Sequence, residues 1–254
     1  MKEREKKAQV TLFIIVGITI LVTIISFFIF VNPQINFFRI KENPQEKIIS
    51  CIENSIKKEE ERFFEEKEIL TIFPINYTSY GEKAPFVCYS TEFYFPCIPQ
   101  SPLFSETIRK KMENKVSREL SKCILSLKES YEKKGYSFDY ESFNFSLLFK
   151  EKEIGYEGKI PITISKEKES IRISEINGGV QSILPKMLKT IETITNYEST
   201  FCEFNLITWQ AINRDIKIER FRGGDQTKVY TLTSQDGKKK IKFAIRTCVM
   251  PAGI

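Results

Sequence analysis

Histidine occurs at none of the 254 positions. This removes the commonest general base and the commonest metal-ligating side chain together. Ser-His-Asp and Cys-His nucleophile arrangements are excluded. With no C-x-x-C pair among the six cysteines, a structural zinc site is not expected either. Glycine is sparse, and its doublets Gly178-Gly179 and Gly223-Gly224 read as turns rather than phosphate-cradling loops. The spacing S-x-x-K occurs at Ser55/Lys58, Ser130/Lys133 and Ser165/Lys168, but each lies in a solvated stretch of a lysine-rich chain, and a catalytic lysine needs burial. Hydrolysis by two carboxylates needs no histidine and stays open as a rival reading, although no pair stands out among 33 acidic residues. No catalytic residue, cofactor or metal is assigned, and an enzyme is not the favoured reading.

Charge is missing in one place only. Between Gln9 and Phe38 no ionisable side chain occurs. Residues 10–31, as a helix rising about 1.5 Å per residue, would span about 33 Å, the thickness of a bilayer's hydrocarbon core. A cleaved secretory signal is usually shorter and ends in small residues, whereas this run ends in SFFIFVNPQINFF. Residues 10–31 are therefore expected to be a retained transmembrane helix. Within it Thr19, Thr23 and Ser26 share a face, suited either to a neighbouring helix or to bonding back onto their own backbone.

The flanks set an orientation. Residues 1–9 carry four Lys or Arg against two Glu, and such short basic segments stay in the cytoplasm while long downstream regions cross. Residues 1–9 are thus expected inside, 32–44 as a connector, and 45–254 as an extracytoplasmic domain. Subtracting the +2 of residues 1–9 from the chain's +6 leaves about +4 outside. Lysine and glutamate interleave there, which makes an ordinary solvated surface and no nucleic-acid stripe.

All six cysteines, Cys51, Cys88, Cys97, Cys123, Cys202 and Cys248, follow the apolar run. An even number in an extracytoplasmic domain suggests disulfides, with buried free thiols as the alternative. Cys51 and Cys123 fall on apolar stretches of two expected helices, Cys88 and Cys97 flank an aromatic loop, and Cys202 and Cys248 would tie a late helix to the last strand. That scheme is one of fifteen possible pairings. The sequons at Asn76 and Asn144 are candidate glycosylation sites.

Apolar residues recur at helical spacing over 45–68 (Ile48, Ile52, Ile56, Phe63) and again from Leu103 to Leu127, ending by Gly135. Prolines punctuate 69–101, where short extended pieces or an ordered loop fit better. From 136 the period becomes two, with strands expected at 142–150, 156–164 and 169–176. A helix over 182–198, a short one within 201–213, and strands in IKIERF, KVYTLT and KKIKFAIRTCV complete the chain. Segregated helices and antiparallel strands predict an α+β domain with a helical half, about 45–135, and a sheet-rich half, about 136–254.

The junction Lys6-Lys7-Ala8-Gln9, followed by VTLFIIVGITI, resembles the archaeal class III signal peptide of type IV pilin-like proteins. The resemblance implies prepilin-type cleavage between Ala8 and Gln9, which would leave the apolar helix attached. One position departs from that pattern: Phe13 stands where such pilins carry a glutamate. More broadly, the chain resembles a group of uncharacterised archaeal single-pass membrane proteins. These begin with Q-V-T-[LI]-F-I-I-x-G and continue with S-C-[LI]-E, here Ser50-Cys51-Ile52-Glu53. They end in a V-Y-x-[LI]-T … F-x-F-A strand pair, whose counterparts are Val229-Tyr230-Thr231-Leu232-Thr233 and Lys242-Phe243-Ala244. The richness in Lys, Glu and Ile suits a heat-adapted source. Together these features predict a membrane-anchored surface protein with a structural, adhesive or envelope-assembly role. Its partners would be the lipid bilayer and other envelope or pilus-like proteins, with no nucleic acid. A pilin-like filament subunit is the alternative within that class, and a membrane-tethered, carboxylate-dependent hydrolase is the alternative outside it.

Overall fold

The computed structural model describes residues 16–27, 43–65, 67–79, 82–167 and 169–251. The chain divides into two compact units, 1–42 and 43–254. In the first, residues 16–27 form an exposed apolar helix, α1. The Thr19 and Thr23 hydroxyls donate to the Val16 and Ile20 carbonyls, so both bond back within their own helix. Among the described residues no helix is long and apolar enough to cross a membrane. Residues 10–15 and 28–31, the remainder of the expected span, lie outside the described residues, as do Ala8 and Gln9.

The second unit is α+β. Helix α2 (Pro44–Glu65) buries Ile48, Ile52, Ile56 and Phe63 along one stripe. Helix α3 (Phe104–Glu132) does the same with Ile108, Met112, Val116, Leu120 and Ile124. The two pack together because side chains four residues apart share a helix face, and a disulfide between Cys51 and Cys123 (Cα–Cα 6.6 Å) clamps them. The other pairs are Cys88–Cys97 and Cys202–Cys248, at Cα separations of 5.4 and 5.7 Å.

Two sheets complete the unit. In the first, β1 (Asn76–Ser79), β2 (Glu82–Tyr89), β10 (Lys240–Arg246), β9 (Lys228–Ser234) and β8 (Ile216–Arg222) lie in that order, with β3 (Ile98–Pro99) also on β2. In the second, β4 (Ser137–Tyr140) and β5 (Asn144–Lys150) pair with β6 (Glu153–Lys166), which also pairs with β7 (Glu169–Gln181). Helix α4 (Leu184–Phe201) packs against β2, β3 and β10 and against β5 and α3; it is followed by the short α5 (Leu206–Ile212). The main apolar cluster, from Ile48 to Ile245, runs through helices and both sheets, and a smaller one of Ala84, Phe86, Val229 and Ala244 lies on the first sheet.

Three departures from expectation have physical causes. The β2–β10 pairing is parallel, so the first sheet is mixed rather than antiparallel. Parallel neighbours need a long connection, and here most of the unit supplies it. Consequently β1–β3 of the expected helical half and β8–β10 of the sheet-rich half form one sheet. Pro85 is tolerated because the β10 ladder begins one residue later, at Phe86. Gly178-Gly179 does not break the strand but lies inside β7, opposite Tyr156 and Gly155. A Cβ at Gly178 would run into the Tyr156 ring and hydroxyl. The missing side chain lets Tyr156 cross the strand and reach Glu53 of α2 at 3.4 Å.

Candidate interaction surface

The last turn of α4 carries the most deeply buried charge of the described residues. Glu198 is fully buried, and Lys228 of β9 is nearly so. An unpaired charge at such a depth is strongly unfavourable, so every proton and lone pair needs a partner. The Lys228 Nζ meets three acceptors: Glu198 Oε2 at 2.7 Å, the Cys202 carbonyl at 2.6 Å and Glu203 Oε2 at 2.8 Å. The other Glu198 oxygen accepts from the Tyr230 hydroxyl and from the Phe204 amide at 3.2 Å.

Cys202 makes this geometry possible. It ends α4 in the left-handed region, at φ 58°, which turns the chain at once. Its carbonyl accepts a cation where a helix C-terminus favours one. Burial, reinforced by the neighbouring Glu198 carboxylate, holds the Tyr230 phenol well above its usual range. At Glu203 burial acts upward, but Lys228 and Arg220 outweigh it and keep the carboxyl below the ordinary value.

A second chain of hydrogen bonds ties this helix end to the aromatic loop. The Cys97 amide donates to Thr247 Oγ1 at 3.0 Å, and that hydroxyl donates to the Glu198 carbonyl at 3.1 Å. The Tyr94 amide donates to the Val249 carbonyl and the Cys248 amide to the Phe95 carbonyl, each at 2.9 Å. With the Cys88–Cys97 and Cys202–Cys248 bridges added, three remote segments are fixed together: the loop at 91–97, the end of α4, and the segment 247–251.

This rigid framework holds apolar side chains in solvent. Ile98 is 71% exposed, Phe201 68%, Phe95 59% and Tyr94 58%. Tyr197 lies beside Phe201, their ring centroids 5.8 Å apart, and the Arg246 guanidinium sits 5.9 Å from the Phe93 ring. Large exposed apolar groups carried on segments that are tied together in this way point to an interaction site, whereas scattered single ones are ordinary. The arrangement is suited to binding.

The buried carboxylates each have cationic partners. Glu59 meets Arg62 and Lys115, Glu60 meets Lys239, and Glu198 meets Lys228. Among the described residues no group of three or more Cys, Asp or Glu is placed to hold a metal ion. Of the S-x-x-K pairs, Lys58 and Lys133 are exposed, and Lys168 lies outside the described residues. Asn76 begins β1 and Asn144 begins β5, and both are exposed. Nothing in the sequence joined Glu198 to Lys228; the one available signal was a lysine at the start of β9, directly ahead of Val229, Tyr230 and Leu232. Comparison with models of known protein families, with curated proteins and with solved structures finds no match.

Proposed function

We propose that this chain is a membrane-anchored cell-surface protein, held by residues 10–31, whose folded region docks onto another envelope protein. The docking surface is the apolar end around Phe95, Ile98 and Phe201. The observation that carries the reading is the double clamp: two disulfides and a buried ion network fix together the segments on which apolar side chains stand exposed. Rigid aromatic anchors of this kind lose little conformational freedom on binding, which favours affinity. Bridged cysteines fit an oxidising compartment, the one that the orientation of residues 1–9 implies. Prepilin-type processing before Gln9 is compatible with this role, because it leaves the apolar segment attached.

The test is a triple variant, Phe95→Ser, Ile98→Ser and Phe201→Ser, expressed in the source cells and cross-linked before extraction in mild detergent. The reading expects cross-linked species of the native chain that the variant loses, with unchanged thermal unfolding. Identical cross-linking by a folded variant would refute it.

A further inference from the structure

Away from the clamped end, a cavity of about 310 Å³ opens between the end of α2, the turn after it, and the starts of β2 and β10. That volume is at the lower end of the range for small-molecule sites. Its floor is apolar, built from Phe63, Phe64 and Ile241. Its rim is cationic. Lys67, Lys238 and Lys240 line it and are exposed, and Lys83 and Lys242 add two further ammonium groups. Against these five the described lining has two carboxylates, Glu65 and Glu82, and Glu82 is already paired with Lys242.

Neither feature alone specifies a ligand. Lysines on a convex surface are merely solvated, and a bare apolar dent binds weakly and without selectivity. Here a concave apolar floor lies under a ring with a surplus of positive charge, so one molecule satisfies both only if it has an apolar tail and an anionic head. The aromatic floor also resists collapse, because Phe63 and Phe64 pack edge to face and the Lys239 ammonium lies 5.5 Å from the Phe64 ring centroid. A bilayer cannot follow a concave cleft of this size, whereas one short chain can enter it.

We propose that this cleft binds a free single-chain amphiphilic anion, an alkyl phosphate or carboxylate, with its tail on Phe63, Phe64 and Ile241 and its head among Lys67, Lys238 and Lys240. The test uses the full chain in zwitterionic nanodiscs, titrated calorimetrically with octyl phosphate against an empty-nanodisc blank. Saturable binding is expected, weakened at least about tenfold by the exposed double reversal Lys67→Glu with Lys240→Glu, since both charges face the head. Phe64→Ala should weaken octyl phosphate while leaving any response to inorganic phosphate unchanged. Octanol should not saturate the site. Three results would each overturn the proposal: inorganic phosphate binding as tightly as octyl phosphate, binding indifferent to the lysine reversals, or a response seen only with vesicles of anionic lipid.

Discussion

The Lys228 ammonium lies 2.7 Å from a Glu198 carboxylate oxygen, with the two side chains 5% and 0% exposed. This pair joins the last turn of α4 to the first residue of β9, and the clamped apolar end is built over it. Removing one member leaves the other charged, buried and only partly compensated. Glu198→Gln should therefore destabilise the folded unit by about 3 kcal/mol, the lower end for a broken buried pair because Glu203 still faces the lysine. Chemical denaturation of the native chain and the variant measures this. Adding Lys228→Met to the same variant should recover a substantial part of the loss, and failure to recover would show that the pair is not coupled.

The three bridges should not be equivalent. Cys51–Cys123 closes 72 residues, while Cys88–Cys97 closes 9. On the chain-entropy account these loops correspond to about 4.4 and about 2.6 kcal/mol. Paired Cys→Ser variants should follow that order in urea midpoint, and an inverted order would place the stabilisation in the native contacts instead.

Asp215 supplies a pH signature. Lys152 at 2.7 Å and Lys186 at 2.9 Å hold its carboxyl down, from 3.8 to about 2. A group depressed on folding contributes stability that is complete above its unfolded value and fades as pH falls through the folded one. The native chain should therefore lose stability between about pH 4 and pH 2 more steeply than Asp215→Asn. Parallel acid limbs for the two proteins would show that the ion pairs do not form in solution.

Processing gives a separate prediction. N-terminal sequencing of the mature protein from membranes should begin at Gln9, the residue after the expected cut. A chain still beginning at Met1 or Lys2 would mean a plain anchor, without prepilin-type cleavage.

Much of the unit was legible because its signals are local. The four-residue spacing of Ile48, Ile52 and Ile56, or of Ile108, Met112, Val116 and Leu120, follows directly from helical geometry. Once those helices are placed, Cys51 and Cys123 fall on facing surfaces. The parallel partnership of Phe86 with Ala244 was not legible, because it joins strands over 150 residues apart and no local preference encodes it. Gly178 was misread for a related reason, since the space it leaves is used by Tyr156 from the neighbouring strand. The Glu198–Lys228 contact depends on the turn at Cys202, a backbone choice that residue type alone does not dictate.

The most direct test of the docking surface is site-specific photo-cross-linking on intact source cells. A benzophenone amino acid would replace Phe201 in one strain and the exposed Lys189 of α4 in a control. The account expects a discrete higher-mass adduct from position 201 only, abolished when Phe95 and Ile98 are both changed to Ser. Equal adducts from both positions, or none from position 201, would contradict it.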